Sequence, residues 1–464
     1  MKHPTCNRRQ ALRTMAAGAA AGAALPLLGS GAAGARPNII FILTDDHRWD
    51  AFGFMDKPWL KTPNMDRIAR EGVHFKNSFV TTSLCSPSRA SFLTGQYARC
   101  HGVVNNLTPW NKKNVTFLEL LHGQGYNTAF IGKWHMPGKT VPDLVGEGKL
   151  DRMVSFSIGL GQGVYEDCPL VVDGKDVKSS GYLTDILTSY ALEFLDRPRP
   201  GPFCLYLSHK AVHNNFIPPE RYRGKLAGAP LHPMEEQTRA YLMSGILVPQ
   251  LIHFQKGQQR YYEALMGVDD SVGAVLKLLD DKRWAENTLI VYGSDNGYLW
   301  GEHGLIDKRL AYEESIRVPH LLRWPRLAPE GGIKAGQMVL NIDLNPTLLT
   351  AAGIPVPGWV QGRSYLEFLD PARHLPGRGS WLYEYREDPG FPPASNIKAV
   401  RTRDWKLITY PGAAGPVFKD ELYHLADDPG ERNDLADDPA RARKKNELAA
   451  ELARLDRELT CQSG

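Results

Sequence analysis

The sequence predicts an α/β protein: a large, mostly parallel sheet sandwiched by helices, with a smaller C-terminal antiparallel-sheet subdomain. Three observations predict it. Four short, unbroken apolar runs read as strands buried on both faces. Helix start and stop signals fall between those runs. Beyond about residue 375 the texture shifts to short strand-like segments separated by turns.

The first run, residues 38–44, ends directly in Asp45-Asp46-His47. Thr62-Pro63-Asn64 opens a helix that Gly72 stops. Cys85-Ser86-Pro87-Ser88-Arg89 opens another, with Pro87 in its first turn and Gly95 at its stop. Thr116 and Glu119 form a capping box, closed by Gly123. The second run, residues 126–131, ends in Gly132-Lys133-Trp134-His135. The third, residues 203–208, leads into His209-Lys210-Ala211-Val212-His213. The two histidines have the spacing of a helical metal pair, but Asn214-Asn215 and Pro218-Pro219 argue for a loop. Residues 261–279 form a longer amphipathic helix. The fourth run, residues 288–293, ends in Ser294-Asp295-Asn296-Gly297. Residues 381–385, 397–400, 405–410 and 421–424 read as short antiparallel strands, and a charged helix over 439–459 ends the chain. Sites in parallel sheets form beyond the carboxyl ends of the strands. Four such ends here each deliver polar or ionisable residues.

Composition narrows the function. Of the 464 residues, 42% are apolar and 23% charged, which excludes a disordered or fibrous chain. The formal charge of +4 sits within residues 1–35, which hold Lys2, Arg8, Arg9 and Arg13 and no acid. The remainder balances at 51 basic against 51 acidic residues, so sequence-independent nucleic-acid binding is not expected. Asn7-Arg8-Arg9-Gln10-Ala11-Leu12-Arg13 resembles a bacterial twin-arginine export signal, with Ala11 where Phe is usual. The weakly apolar run at 15–28 is interrupted by Pro26 and falls short of the ~20 strongly apolar residues of a membrane span. Ala33-Gly34-Ala35 offers small residues for cleavage. The expected organisation is an export signal over 1–35, a large domain over 36–375 and a smaller α+β subdomain over 376–464, in a periplasmic or secreted protein. Cys85, Cys100, Cys168, Cys204 and Cys461 remain in the mature chain. No C-x-x-C pair suggests structural zinc, and disulfide pairing stays open.

Cys85 sits at a helix start, where free N–H groups and the dipole favour an anion, and Arg89 lies four residues on over the same face. Taken alone, this is equally a buried cysteine in a capped helix. Cys85-x-Pro87-Ser88-Arg89 followed by Leu93-Thr94-Gly95, however, resembles the signature of the formylglycine-dependent (type I) sulfatases of the alkaline phosphatase superfamily. The resemblance runs from Pro37 to about Pro429. It takes in Thr44-Asp45-Asp46, Thr62-Pro63-Asn64, Gly132-Lys133-Trp134-His135, Ser294-Asp295-Asn296-Gly297, Gly301-Glu302-His303-Gly304 and the stretch from Glu421 to Glu431.

The resemblance implies an alkaline phosphatase-like fold and an exported sulfatase acting on sulfate monoesters of carbohydrates. It also implies a separate maturation enzyme that oxidises Cys85 to formylglycine (3-oxoalanine). Carried over position by position, Asp45, Asp46, Asp295 and Asn296 would bind one divalent cation together with an oxygen of the modified Cys85. All-oxygen ligation suits Ca²⁺ or Mg²⁺ rather than zinc, and the resemblance favours Ca²⁺. The hydrate of the aldehyde offers two hydroxyls, one to attack sulfur in line and one to expel sulfate afterwards. Arg89 would hold the hydrate. Lys133 and His135, alternate residues at a strand end, would point together into the pocket, with His135 as base. Lys308 would bind a sulfate oxygen, and His213 would be general acid for the leaving alcohol. His209 and His303 are candidate substrate contacts. A structural hydrogen bond for His209 and a turn-fixing role for His303 are the alternatives. The other activity in view is a phosphonate monoester or phosphodiester hydrolase of the same superfamily, since one cationic pocket serves both anions.

Overall fold

The computed structural model describes residues 36–136, 148–156, 161–233, 254–373, 375–386, 396–412 and 419–461. The expected export signal over 1–35 and much of the loop over 138–164, expected to shape the pocket walls, lie outside the described residues. The strands are β1 (Asn38–Thr44), β2 (Val73–Phe79), β3 (Asn127–Gly132), β4 (Arg152–Ser155), β5 (Leu170–Val172), β6 (Lys175–Val177), β7 (Phe203–Ser208) and β8 (Thr288–Ser294). They continue with β9 (Leu299–Trp300), β10 (Ile306–Asp307), β11 (His320–Arg323) and β12 (Ile333–Leu340). Ten of these form one sheet in the order β12-β2-β11-β8-β1-β7-β3-β4-β5-β6, and β9 and β10 make a separate hairpin.

The four apolar runs of the sequence are the four neighbouring strands β8-β1-β7-β3, all mutually parallel. Towards the edges the sheet is mixed. β11 runs antiparallel to both β8 and β2, and β5 and β6 pair antiparallel at the far side. The parallel centre is apolar throughout because both of its faces are covered. Along β1, Ile39, Phe41 and Leu43 enter one apolar layer, whereas Ile40 and Ile42 enter the other. One layer is closed by α1 (Pro63–Arg70) and by the helices packed beside it; the other contains α2 (Cys85–Thr94) and α3 (Phe117–His122). On the first side lie α4 (Leu183–Asp196) and α5 (Phe254–Asp281), and on the second α6 (Leu344–Ala351). Thr116 and Glu119 make the expected reciprocal capping box at the start of α3. At the end of α2, Gly95 adopts φ 71°, the left-handed cap that glycine favours.

Register places the strand ends in one row. Leu43 pairs with Ser208, Thr44 with Ser294 and Gly132 with Ser208. Gly132 has φ 122°, and a Cβ there would lie 1.8 Å from the Ser208 carbonyl oxygen, so only glycine lets β3 close on β7 at this edge.

The C-terminal region is a four-stranded antiparallel sheet, β13 (Ser380–Tyr385), β14 (Ile397–Thr402), β15 (Trp405–Thr409) and β16 (Glu421–His424). The charged helix α7 (Ala442–Glu458) packs on it through Leu448 and Leu452. A disulfide between Cys100 and Cys461 ties the end of the chain to the turn after α2. Among the described residues no helix is long and apolar enough to cross a membrane.

Candidate active site

The row of strand ends gathers eight of the expected residues. Asp45 and Asp46 follow β1, Asp295 and Asn296 follow β8, and Lys133 follows β3. Cys85 is the first residue of α2 and is fully buried. Its Sγ lies 3.7 Å from Asp45 Oδ1, and Lys308 Nζ donates to it at 3.3 Å. Arg89 emerges one turn further along α2. Its Nε donates to Asp295 Oδ2 at 2.8 Å and Nη2 to Asp45 Oδ2 at 3.2 Å. Nη1 reaches the Lys133 carbonyl at 2.9 Å and Ser208 Oγ at 2.6 Å, so one guanidinium binds four strand ends together. Lys133 Nζ donates to Asp45 Oδ2, and Lys308 Nζ to Asp46 Oδ1. Asn296 Nδ2 donates to Asp46 Oδ1 at 2.5 Å.

Two oxygens in this network are left over. Asp46 Oδ2 and Asn296 Oδ1 are buried without a hydrogen-bond partner, and oxygens of Asp45, Asp46 and Asp295 lie within 4.8 Å of one another. A buried acceptor with no donor costs free energy unless something cationic fills the gap. The donor set is all oxygen, which fits a hard divalent cation.

Charge is strongly coupled here. Burial pushes the Asp46 carboxyl up to about 7, against the pull of Lys308 and with help from Asp45 and Asp295. Burial also opposes ionisation of Asp45, but Lys133, His213, Arg89 and Lys308 together hold it well below the usual carboxylate range. Burial, then the Asp45 charge, pushes the Cys85 thiol up to about 12, so the unmodified side chain is no thiolate at neutral pH. Burial and the Lys133 charge hold both His135 and His213 well below the ordinary imidazole range, hence neutral. An incoming anion would raise both.

His213 joins the cluster: a ring nitrogen, Cys85 Sγ and an Asp45 oxygen lie within 4.8 Å of one another. The intervening chain is a turn, as the asparagines and prolines suggested, and its Nδ1 is buried without a partner. His135 also has an unpartnered, buried Nδ1. It is not placed by strand alternation, however. β3 ends at Gly132, and His135 takes φ 59° in the segment beyond, where Ser86 Oγ donates to its carbonyl at 2.5 Å.

Two expected substrate contacts are placed against protein. The His209 ring is fully buried and meets Ser271 Oγ of α5 at 3.1 Å, because its backbone N–H is anchored to the Leu43 carbonyl and directs the side chain into the helix layer. His303 stacks on Tyr312 with ring centroids 3.9 Å apart, and its Nε2 lies 3.6 Å from Glu314 Oε2.

Other contributors were not singled out by the sequence. Gln162 Oε1 accepts from Lys133 Nζ at 2.5 Å, and the Tyr165 hydroxyl donates to the His213 carbonyl at 2.6 Å. Arg48 donates to Glu302 Oε1 at 2.8 Å and to the Tyr298 carbonyl at 2.9 Å, fixing the segment that leads to Lys308 against the end of β1. Lys210 is buried beside Tyr165, its Nζ 5.0 Å from the ring centroid. The only signals were indirect. Gln162 and Tyr165 fall in an aperiodic glycine-rich stretch, and Lys210 stands between two histidines that drew attention first.

Comparison with known proteins follows the same lines. The sulfatase family model matches residues 37–354, and the model of the N-sulphoglucosamine sulphohydrolase C-terminal region matches residues 301–458. The chain is 31% identical to an N-acetylglucosamine-6-O-sulfatase of Bacteroides thetaiotaomicron, covering 89% of this chain and 85% of that protein. It is 32% identical to the human N-acetylglucosamine-6-sulfatase over 79% of this chain and 70% of that one. A solved structure in complex with its substrate D-glucosamine-2-N,6-O-disulfate superposes with a TM-score of 0.80 at 30% identity, covering 91% and 98% of the two chains. A phosphonate monoester hydrolase of Agrobacterium radiobacter shares the fold at 21% identity and a TM-score of 0.72, covering 92% and 97%. The chain belongs to the type I sulfatases of the alkaline phosphatase superfamily and is a sulfuric ester hydrolase.

Proposed function

We propose that this sulfatase is exported and hydrolyses sulfate monoesters of sulfated glucosamine-type saccharides, using a formylglycine made from Cys85 by a separate maturation enzyme. The observation that carries the reading is the convergence of Cys85, Asp45 and Lys308 beside two unpartnered oxygens, Asp46 Oδ2 and Asn296 Oδ1. Asp45, Asp46, Asp295 and Asn296 would hold one Ca²⁺ or Mg²⁺. Such an ion supplies Lewis-acid charge that favours ionisation of a neighbouring hydroxyl.

The chain's own residues then divide the work. Arg89 fixes the geometry of the strand ends and, one turn along the helix that Cys85 opens, would hold the modified side chain. Lys133 and Lys308 offer preorganised positive charge to the sulfate oxygens, an effect that is strongest where water is excluded. His213, protonated once the bound sulfate anion raises its affinity for a proton, gives that proton to the leaving alcohol as a hydroxyl of the modified Cys85 replaces the ester oxygen at sulfur. His135, neutral and with an unpartnered Nδ1, takes the proton of the second hydroxyl when sulfate is released. Export is supported by the paired arginines of the leader and by the Cys100–Cys461 disulfide, which belongs to an oxidising compartment. We assign residues 1–35 to the signal, 36–375 to the sulfatase domain and 376–464 to the smaller subdomain.

Sugar chemistry comes from the relatives: both quoted above are N-acetylglucosamine-6-sulfatases, one from a bacterium and one human. The test is a paired comparison of 4-nitrophenyl sulfate and an aryl phosphonate monoester with the matured enzyme. Faster hydrolysis of the sulfate is expected. Preference for the phosphonate would move the protein to the other branch of the superfamily.

A further inference from the structure

Every buried cation that ties the catalytic cluster together already faces a carboxylate. Lys133 and Arg89 meet Asp45, Arg89 also meets Asp295, and Lys308 meets Asp46. Lys210 does not. Its side chain is only 4% exposed, and among the described residues no carboxylate pairs with its ammonium and no hydrogen bond receives it. What it meets instead is the face of Tyr165. An ammonium largely withdrawn from water, with Asp45 and Asp46 acting on it but neither paired to it, is costly to hold, and an aromatic face offsets only part of that cost.

Position says which charge is missing. Lys210 lies three residues before His213, whose N–H donates to the Lys210 carbonyl at 3.0 Å. The Tyr165 ring that seats the ammonium also carries the hydroxyl bonded to the His213 carbonyl. Lys210 and His213 are thus held by one tyrosine. If His213 protonates the leaving alcohol, as proposed above, the Lys210 ammonium stands on the leaving-group side, where the sugar must sit. Lys133 and Lys308, by contrast, are bonded directly to Asp45, Asp46 and Cys85, whose charges Lys210 meets without bonding to them.

We propose that Lys210 is a specificity-determining residue that recognises a second anionic substituent, a sulfate or carboxylate, on the saccharide carrying the scissile sulfate. The favoured substrate class is therefore a doubly anionic sugar sulfate. The inference rests on the sulfatase reading and on His213 as the acid.

The test compares glucosamine-6-O-sulfate with glucosamine-2-N,6-O-disulfate as substrates of the matured enzyme and of Lys210→Met and Lys210→Arg. The quantity read is the ratio of kcat/KM values for the two sugars, in which any difference in the amount of active enzyme cancels. Wild-type enzyme should favour the disulfate. Lys210→Met should reduce that ratio about 10-fold, mainly through KM, the size expected when one charge-assisted hydrogen bond to the substrate is removed, and Lys210→Arg should restore most of it. The same ratio in wild-type enzyme and Lys210→Met would overturn the proposal, including the case in which both sugars suffer equally. Absence of turnover on both sugars and on 4-nitrophenyl sulfate in the wild-type enzyme would instead overturn the sulfatase reading beneath it.

Discussion

Two of the buried ionic clusters among the described residues are built to opposite ends. Under the C-terminal sheet, Lys406 Nζ lies 2.9 Å from Glu313 Oε1 and 2.6 Å from Glu431 Oε1, and it also donates to the Ala311 carbonyl at 2.8 Å. Arg401 adds a second cation to Glu313 at 3.2 Å, and the Glu313 N–H donates to Glu431 at 2.7 Å. There each carboxylate has a cation against it, Glu431 Oε1 through the Lys406 ammonium alone, and together they join the one-turn helix at 313–316 to β14, β15 and the turn beyond β16. At the ends of β1, β3, β7 and β8 the charges are just as deeply buried, yet Asp46 Oδ2, Asn296 Oδ1 and the Nδ1 atoms of His135 and His213 have no partner. In the C-terminal cluster even the oxygen without a hydrogen bond has a cation 2.6 Å away, whereas Asp46 Oδ2 and Asn296 Oδ1 have neither, which is the arrangement expected of a group that can accept a cation.

The contrast is sharpest in variants that remove one charge from each side. Asp295→Asn takes a carboxylate charge from the open cluster, where Asp295 is proposed to hold the cation, while preserving shape. Turnover should fall by about 100-fold or more, with partial recovery at high Ca²⁺. Wild-type turnover and unchanged sensitivity to a chelator would remove Asp295 from the cation site. Lys406→Met in the C-terminal cluster should act on stability instead. It leaves Glu313 and Glu431 buried without their shared cation, at a cost of about 3–5 kcal/mol in denaturant unfolding. The folded fraction should keep its KM. A raised KM with unchanged stability would mean that the two clusters do not divide as described.

Per residue, the smallest effect comes from histidines buried in the apolar layers. Burial holds His47 and His209 at about 4 and His101 and His320 at about 3, below their ordinary value of 6.5. Between pH 6.5 and those values the unfolded chain binds protons that the folded chain refuses. Stability present above pH 6.5 should therefore be lost as pH falls, by up to ~1.4 kcal/mol per pH unit for each histidine. His101, which meets Ser91 Oγ at 3.1 Å and accepts from the Val103 N–H, should lose its share of that slope in His101→Asn. Unfolding free energies at pH 6.5 and 5.5 measure it, and a slope unchanged by the substitution would contradict the assignment.

What the sequence disclosed follows the same physics. The runs that became β1, β3, β7 and β8 were legible because a strand covered on both faces has no polar side to hide it. β2, β11 and β12 were not, since His74, Lys76, His320 and Lys334 interrupt their apolar patterns. Asp45, Asp46, Cys85, Asp295 and Asn296 could be read because each stands at the end of a strand or the start of a helix. His209 and His213 look alike in sequence, and only the anchoring of His209 to Leu43 and Ser271 separates them. Gln162 and Tyr165 were illegible because aperiodic loops carry no signal of where their side chains end.

The most direct test of the account is the mass of the peptide containing Cys85, taken from protein produced together with a formylglycine-generating enzyme. Conversion exchanges the thiol sulfur and two hydrogens for one oxygen. The account predicts that turnover of 4-nitrophenyl sulfate rises in proportion to the fraction of that lighter peptide. Full activity from protein whose Cys85 remains entirely a thiol would contradict it.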